Sequence, residues 1–381
     1  MQRAEVALEG VGLAYGAFWA VRFVDLTVRP GEFFSILGPS GCGKTTILRL
    51  VSGFVEPSEG VIRIDGRDVR GVGPAHRPTA LVIQNLAQNL ALFPSMRVWE
   101  NVAFGLEVRG VAKAQRRRLA EELLELVALP GFAEKRIDEL SGGQCQRVAI
   151  ARALAVEPKV LLLDEPLSVL DLELRQHMRA ELKAIQRRTG VTFVYITHDQ
   201  GEAFTMSDRV AVMSQGRIEQ VGTPTEIYDA PATAFVASFV GESNPLPGRV
   251  EESAGGLARI TTALGPLRAR DPRGLAPGSA AILIVRPERC RLDEAGEGNG
   301  PADRLARAED APVNRIEGRL VRIDFEGAFA NLVVANPAGP TLKVQVANDG
   351  RLSRLAAGAL VAVRFPAEAA LALPEGPLAR E

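Results

Sequence analysis

A lysine and two threonines close a glycine-rich run, Gly38-Pro39-Ser40-Gly41-Cys42-Gly43-Lys44-Thr45-Thr46, and residues of these types at this spacing can hold phosphate. Glycines let backbone N–H groups converge on an anion without side-chain obstruction, and a following helix turns its positive end toward the same charge. Lys44 is expected to reach the β- and γ-phosphates of a nucleotide and Thr45 to ligate Mg2+. The context fits, because an apolar strand, Phe33 to Leu37, enters the loop and an apolar-periodic segment, Ile47 to Phe54, leaves it.

A second anion-binding device lies about a hundred residues later in the chain, where Leu140-Ser141-Gly142-Gly143-Gln144 opens a strongly helical run with Ser141 placed to cap it. Val160-Leu-Leu-Leu then carries Asp164 and Glu165 to a strand's carboxyl end, where open α/β sheets bind ligands. Two adjacent acids can divide the work, Asp164 holding the metal and Glu165 acting as general base on water. Ser168-Val-Leu-Asp171 follows. One strand further on, Ile196-Thr197-His198-Asp199 places a histidine at another strand end, within reach of a γ-phosphate. His76 and His177 have no such company and read as structural.

These groups need a sheet whose strands end together. Short β-branched runs alternate with helical patterns from residue 1 to about 240, the signature of an α/β domain with a largely parallel sheet. Val160 to Asp164, a helix from Leu172 to Arg188 closed by Gly190, and Val191 to Thr197 form one βαβ unit. The run between Ala112 and Ala128 reads as a helix with Leu119, Leu123 and Leu126 on one face and a solvated basic cluster. Beyond Gly241 the texture shifts to short strands punctuated by Gly and Pro, with a polar loop expected from Asp293 to Asp310. Leu342, Val344 and Val346 alternate with polar neighbours, Val321, Ile323 and Phe325 repeat the pattern, and a small β-barrel over 241–381 is the natural closure.

Composition narrows the setting. The chain has 381 residues, enough for two cores, and 45 Lys plus Arg against 46 Asp plus Glu leave no global field for nucleic acid or an anionic membrane. Three scattered cysteines, Cys42, Cys145 and Cys290, argue for a reducing compartment, which points to the cytoplasm. There is no charge-free apolar run of the roughly 18 residues a membrane span needs, and the start, MQRAEVALEG, does not read as a signal peptide.

In this order, GPSGCGKTT, LSGGQ, LLLLDEP, SVLD and THD resemble the Walker A, signature, Walker B, D-loop and H-loop of ABC transporter nucleotide-binding subunits. The resemblance implies an ATP- and Mg2+-dependent hydrolase that pairs head to tail, so that Ser141, Gly142, Gly143 and Gln144 act in trans on the partner's nucleotide. It also implies that Asp171 communicates across the homodimer and that Tyr15, in LAYGAF, stacks on adenine. ALFPSMRVWENVAFGL is similar to the stretch that meets the permease subunits. The segment after His198 resembles the importer branch, the tail resembles an oligonucleotide-binding-like accessory (TOBE-like) domain, and FVGESNPLPGRV resembles the spermidine and putrescine group. This implies a peripheral subunit on the cytoplasmic face of the inner membrane, working indirectly with a solute-binding protein. Ferric iron, sugar and oxyanion import are the alternatives. A soluble ATPase acting on nucleic acid or ribosomes is disfavoured, because neither a second cassette nor a basic face is visible.

The sequence departs from the family at the Q-loop, where Gln84-Asn-Leu-Ala87 is repeated as Gln88-Asn-Leu-Ala91. Four extended residues span roughly 13 Å, so both glutamines cannot serve one metal site. Gln84 is favoured because it ends the strand Leu81 to Ile83, and it joins Thr45 and Asp164 as a metal ligand. Val169, Cys145 and Gly201 replace the commoner Ala, Gln and Glu without removing a catalytic group. A thiol modifier on Cys42 is expected to block nucleotide binding, and ATP to protect it.

Overall fold

The computed structural model describes residues 2–83, 92–168, 170–294, 312–350 and 355–379. The chain divides into two compact units, Met1–Ile227 and Tyr228–Glu381.

The first unit is built on a six-stranded sheet in the order Arg217–Gly222, Arg209–Ser214, Phe33–Leu37, Thr192–Thr197, Val160–Asp164 and Thr79–Val82. All neighbours are parallel except the first pair. A parallel sheet needs cover on both faces, and alternate residues of each strand supply two separate cores. Phe33, Leu161, Leu163, Phe193 and Tyr195 face the helices α2 (Val98–Val108), α3 (Lys113–Leu126), α4 (Gly142–Ala155) and α5 (Leu172–Thr189), which follow α1 (Lys44–Ser52) in the chain. Phe34, Ile36, Leu162, Val194 and Ile196 pack on α1 and on a second sheet containing Val6–Tyr15 and Phe18–Val28.

Local chemistry sets the helix ends. Ser141 and Gln144 form a reciprocal capping box at the start of α4, and Asp171 caps α5 by accepting from the Leu174 amide at 2.9 Å. Gly190 closes α5 in the left-handed conformation, as its position predicts. In α3, Leu123 is buried and Leu119 and Leu126 pack beside it. The basic cluster of that helix is more engaged than a solvated face, because Arg116 pairs with Glu107 and Arg117 with Glu121 and Glu134.

The second unit holds a closed five-stranded barrel, Asn244–Ala254, Leu257–Thr262, Gly265–Arg270, Ala370–Pro374 and Ala280–Val285 in that spatial order. Beside it lies a five-stranded sheet of Arg291–Glu294, Leu360–Pro366, Val313–Phe325, Phe329–Ala335 and Leu342–Ala347, sharing one core with the barrel. Both strands read from alternation belong to this sheet rather than to the barrel. Leu342 and Val344 face the core and Ile323 packs against it as expected, but Val321 and Phe325 are exposed, and Leu320 just before them is buried. A bulge between Leu320 and Arg322 shifts the alternation by one residue, so the core face passes from Leu320 to Ile323 and Val321 is left outside. Asp293 is in a strand rather than in the polar loop, and 295–310 lie outside the described residues. The barrel and sheet are joined by side chains that act as strand edges. Asn244 donates to the Lys343 carbonyl at 2.8 Å and accepts from its amide at 2.7 Å, and Asn314 does the same for Arg268 at 2.8 Å each way.

Candidate active site at the strand ends

Register brings the chemistry together. Leu37 pairs with Thr197, Ile196 with Asp164, and Leu163 with Val82, so the residues that follow these strands emerge along one edge of the sheet. The phosphate loop, Glu165 and His198 are therefore neighbours, as open α/β sheets arrange their ligand sites.

Gly38 and Gly43 show why this loop tolerates no side chains at two points. A Cβ on Gly38 would sit 2.3 Å from the Met213 carbonyl oxygen and 2.8 Å from Cys42 Sγ. Gly43 has φ 108°, and a Cβ there would lie 2.6 Å from the Ala20 carbonyl oxygen, so the strand Phe18–Val28 runs against the loop. Lys44 is buried, its Nζ donating to the carbonyls of Gly38 at 2.7 Å and Pro39 at 3.0 Å. Pro39, Thr45 and Thr46 are half-buried, and Ser40 and Gly41 are exposed. Cys42 is buried, and burial pushes its thiol up although the Lys44 charge pulls the other way.

Thr45 Oγ1 donates to Asp164 Oδ1 at 3.1 Å. A hydroxyl and a carboxylate converging beside a phosphate loop form the hard-oxygen set that suits Mg2+, which draws its other ligands from phosphate and water. Burial raises the Asp164 carboxyl above its ordinary range, the neighbouring Glu165 charge adds to this, and the Thr45 bond opposes it.

Glu165 occupies a left-handed conformation, φ 44°, rare for a residue with a Cβ. Three bonds hold it there: its amide donates to the Ile196 carbonyl at 3.0 Å, and its carbonyl accepts from the Ser168 amide at 3.3 Å and hydroxyl at 3.0 Å. The twist brings Oε2 to 3.1 Å from His198 Nδ1. His198 is 54 % exposed, open to a ligand on its other side.

Tyr15 and Phe18 pair across the tip of a hairpin and are 58 % and 64 % exposed, so Tyr15 is not core and has a second aromatic beside it that sequence reasoning missed. Ser141 and Gly142 are exposed, Gln144 is half-buried, and Gly143 packs against Leu174. Asp171 is exposed at the start of α5. In the segment expected to meet the permease, buried Asn101 holds the turn, its amide donating to the carbonyls of Phe93, Met96 and Arg97 and accepting from the Phe93 amide. Gln84, Gln88 and Val169 lie outside the described residues.

Sequence reasoning also passed over Arg175 and Arg179, which approach Asp199 Oδ2 at 3.3 and 3.2 Å. Their i, i+4 spacing after the capping aspartate was the available signal, since it places both on one helix face.

The fold and this site define a phosphate-loop nucleotide hydrolase in which a second capped helix start, at Ser141 and Gly142, is exposed. The ABC transporter model matches residues 21–168 and the TOBE domain model residues 283–373. The chain is 45 % identical over 97 % of its length to a spermidine/putrescine import ATP-binding protein, PotA, of Rubrobacter xylanophilus, covering 93 % of that relative. It is 48 % identical over 91 % of its length to the PotA of Acidothermus cellulolyticus, covering 87 % of it. The chain belongs to the ATP-binding subunits of ABC transporters. Among solved structures it is similar to a dimeric, post-hydrolysis ATP-binding cassette bound to ADP and Pi, with 32 % identity, TM-score 0.50, 57 % of this chain and 98 % of that one. It is also similar to cbiO1 of Clostridium perfringens, part of the ABC transporter complex cbiONQ, with 30 % identity, TM-score 0.55, 58 % of this chain and 89 % of that one. None of the described helices is long and apolar enough to cross a membrane.

Proposed function

We propose that this subunit hydrolyses ATP to drive a polyamine importer of the spermidine and putrescine class. The observation that carries the hydrolytic part is the convergence of Lys44, the Thr45–Asp164 pair and the Glu165–His198 pair at adjacent strand ends. The names of the relatives, at 45 % and 48 % identity over nearly the whole chain, support the solute class.

Water attacks the γ-phosphorus in line, Glu165 polarises it, and His198 orients both Glu165 and the γ-phosphate. Lys44 leaves its own loop carbonyls for the phosphate oxygens and stabilises the charge spread over them. Thr45 and Asp164, with Gln84, are the residues that would hold Mg2+. When bound, that ion neutralises charge on the β- and γ-phosphates. Tyr15 stacks on adenine, and Ser141 to Gln144 of a second copy close the sandwich while Asp171 meets the partner. Closure on ATP and release after hydrolysis then rock permease subunits docked at the segment organised by Asn101, at the cytoplasmic face of the inner membrane.

The test is the purified Glu165→Gln chain given ATP and Mg2+ in a light-scattering measurement. A nucleotide-dependent dimer is expected, and a chain that binds ATP yet stays monomeric would overturn closure without a permease. The solute is tested by ATP-driven uptake of labelled spermidine into vesicles carrying the full transporter. Uptake that ferric iron, sugar or sulfate competes away, and putrescine does not, would overturn the polyamine assignment. Gln84→Ala abolishing hydrolysis while Gln88→Ala spares it is the expected outcome for the duplicated segment; the reverse would move the Q-loop role to Gln88.

A further inference from the structure

His198 and Asp171 stand on separate elements, yet one side chain reaches both neighbourhoods. Arg175, in the second turn of α5, donates from Nη2 to the Leu170 carbonyl at 3.0 Å and from Nη1 to Asp199 Oδ2 at 3.3 Å. Leu170 immediately precedes the capping Asp171, and Asp199 immediately follows His198. Arg179, one turn on, donates to the same Asp199 oxygen at 3.2 Å. The other Asp199 oxygen accepts from the Glu202 amide at 2.9 Å, starting the helix α6 (Gln200–Met206).

The turn is also held from below. The Asp199 amide donates to Thr197 Oγ1 at 2.9 Å, Thr197 donates to Glu202 Oε2 at 2.7 Å, and the buried Tyr195 hydroxyl donates to that same oxygen at 2.7 Å. Gly201 adjoins the cluster, and a Cβ there would lie 3.1 Å from Asp199 Oδ1 and 3.3 Å from Arg179 Nη1, close enough that these side chains would have to shift slightly. Both arginines and Asp199 are largely shielded, with side chains 25, 17 and 27 % exposed, so the ion pairs are screened less than surface pairs.

We infer that Arg175 is a positioning residue for hydrolysis: by bridging the Leu170 carbonyl and the Asp199 carboxylate it fixes the His198 turn relative to the Asp171 segment. A guanidinium suits this task because its rigid fork serves two acceptors at once, whereas a lysine ends in a single nitrogen that cannot keep both in line. The inference rests on the reading of His198 as a γ-phosphate group.

The test uses the purified full-length chain and measures kcat, nucleotide affinity and melting temperature for Arg175→Lys, Arg175→Met, Asp199→Asn, the Arg175→Met/Asp199→Asn pair and His198→Ala. Misplacing a catalytic group lowers kcat by about tenfold to about a hundredfold, while nucleotide affinity stays within about twofold. Arg175→Lys, which preserves charge and stem, is expected to fold with the parent melting temperature and to lose less than Arg175→Met. Residues acting through one contact are non-additive, so the double variant should be no slower than the worse single one. Multiplied losses in the double variant, or parent kcat in a folded Arg175→Lys chain, would overturn the inference. If His198→Ala hydrolyses ATP at the parent rate, the reading of His198 fails and the inference falls with it. If His198→Ala is impaired and Arg175→Lys is not, the inference alone fails.

Discussion

Glu165 Oε2 lies 3.1 Å from His198 Nδ1, and the contact exists because Glu165 holds a left-handed backbone conformation immediately after its strand. Removing the carboxylate charge in Glu165→Gln should leave ATP binding intact and lower hydrolysis by about a hundredfold or more. A steady-state phosphate-release assay alongside fluorescent-nucleotide titration checks both halves. A variant that still turns over at the parent rate would remove Glu165 from the mechanism.

Lys44 donates to two carbonyls of its own loop. Lys44→Ala should lower nucleotide affinity by about tenfold or more, and it should also lower the melting temperature of the free chain, since its bonds to the Gly38 and Pro39 carbonyls are lost as well. Gly38→Ala should lose stability by a different route. Its new methyl group meets the Met213 carbonyl, so denaturant unfolding should show a stability loss of about 2 kcal/mol, as overpacking does.

Asp164 gives a pH-dependent prediction. Its carboxyl is raised mainly by burial, so the folded chain binds this proton more tightly than the unfolded chain does. Stability from this group therefore falls as pH rises through the carboxylate range and recovers as pH drops below the raised value. In metal-free buffer, Asp164→Asn should melt higher than the parent at neutral pH, and the gap should close on acidification. The same variant should lose Mg2+-dependent hydrolysis. A variant that melts lower at neutral pH would contradict the sign.

Cys42 is 5 % exposed and its thiol is pushed up by burial, so the native chain should react slowly with thiol reagents despite lying in the phosphate loop. In a background where Cys145 and Cys290 are replaced by alanine, labelling should proceed only as the loop opens, and ATP should slow it further. Equal rates with and without ATP would mean that the nucleotide does not hold the loop closed.

The strand-end groups were legible in the sequence because the phosphate loop, Glu165 and His198 directly follow apolar strands, and strands in one parallel sheet end together. Phe33–Leu37 and Val160–Asp164 needed no tertiary information to read. What escaped depends on pairing that one chain segment does not encode. Val321 alternates correctly with polar neighbours, yet the bulge at Leu320 leaves it outside while Ile323, two residues on, packs against the core. Ala370–Pro374 enters the barrel between strands about a hundred residues earlier, a closure that local periodicity cannot announce. Arg175 and Arg179 look like ordinary helix charges until Asp199 is placed beside them.

Asn244 gives its side-chain amide to both backbone groups of Lys343, which sits on Leu342–Ala347, the outermost strand of its sheet. An outer strand with open N–H and C=O groups is a template on which extended segments of other molecules can assemble. The Asn244 amide occupies both backbone groups of Lys343 on that edge. A single asparagine on the first strand of the barrel thus occupies edge groups of a strand about a hundred residues later in the chain, a pairing made by one side chain where a further strand would otherwise be needed.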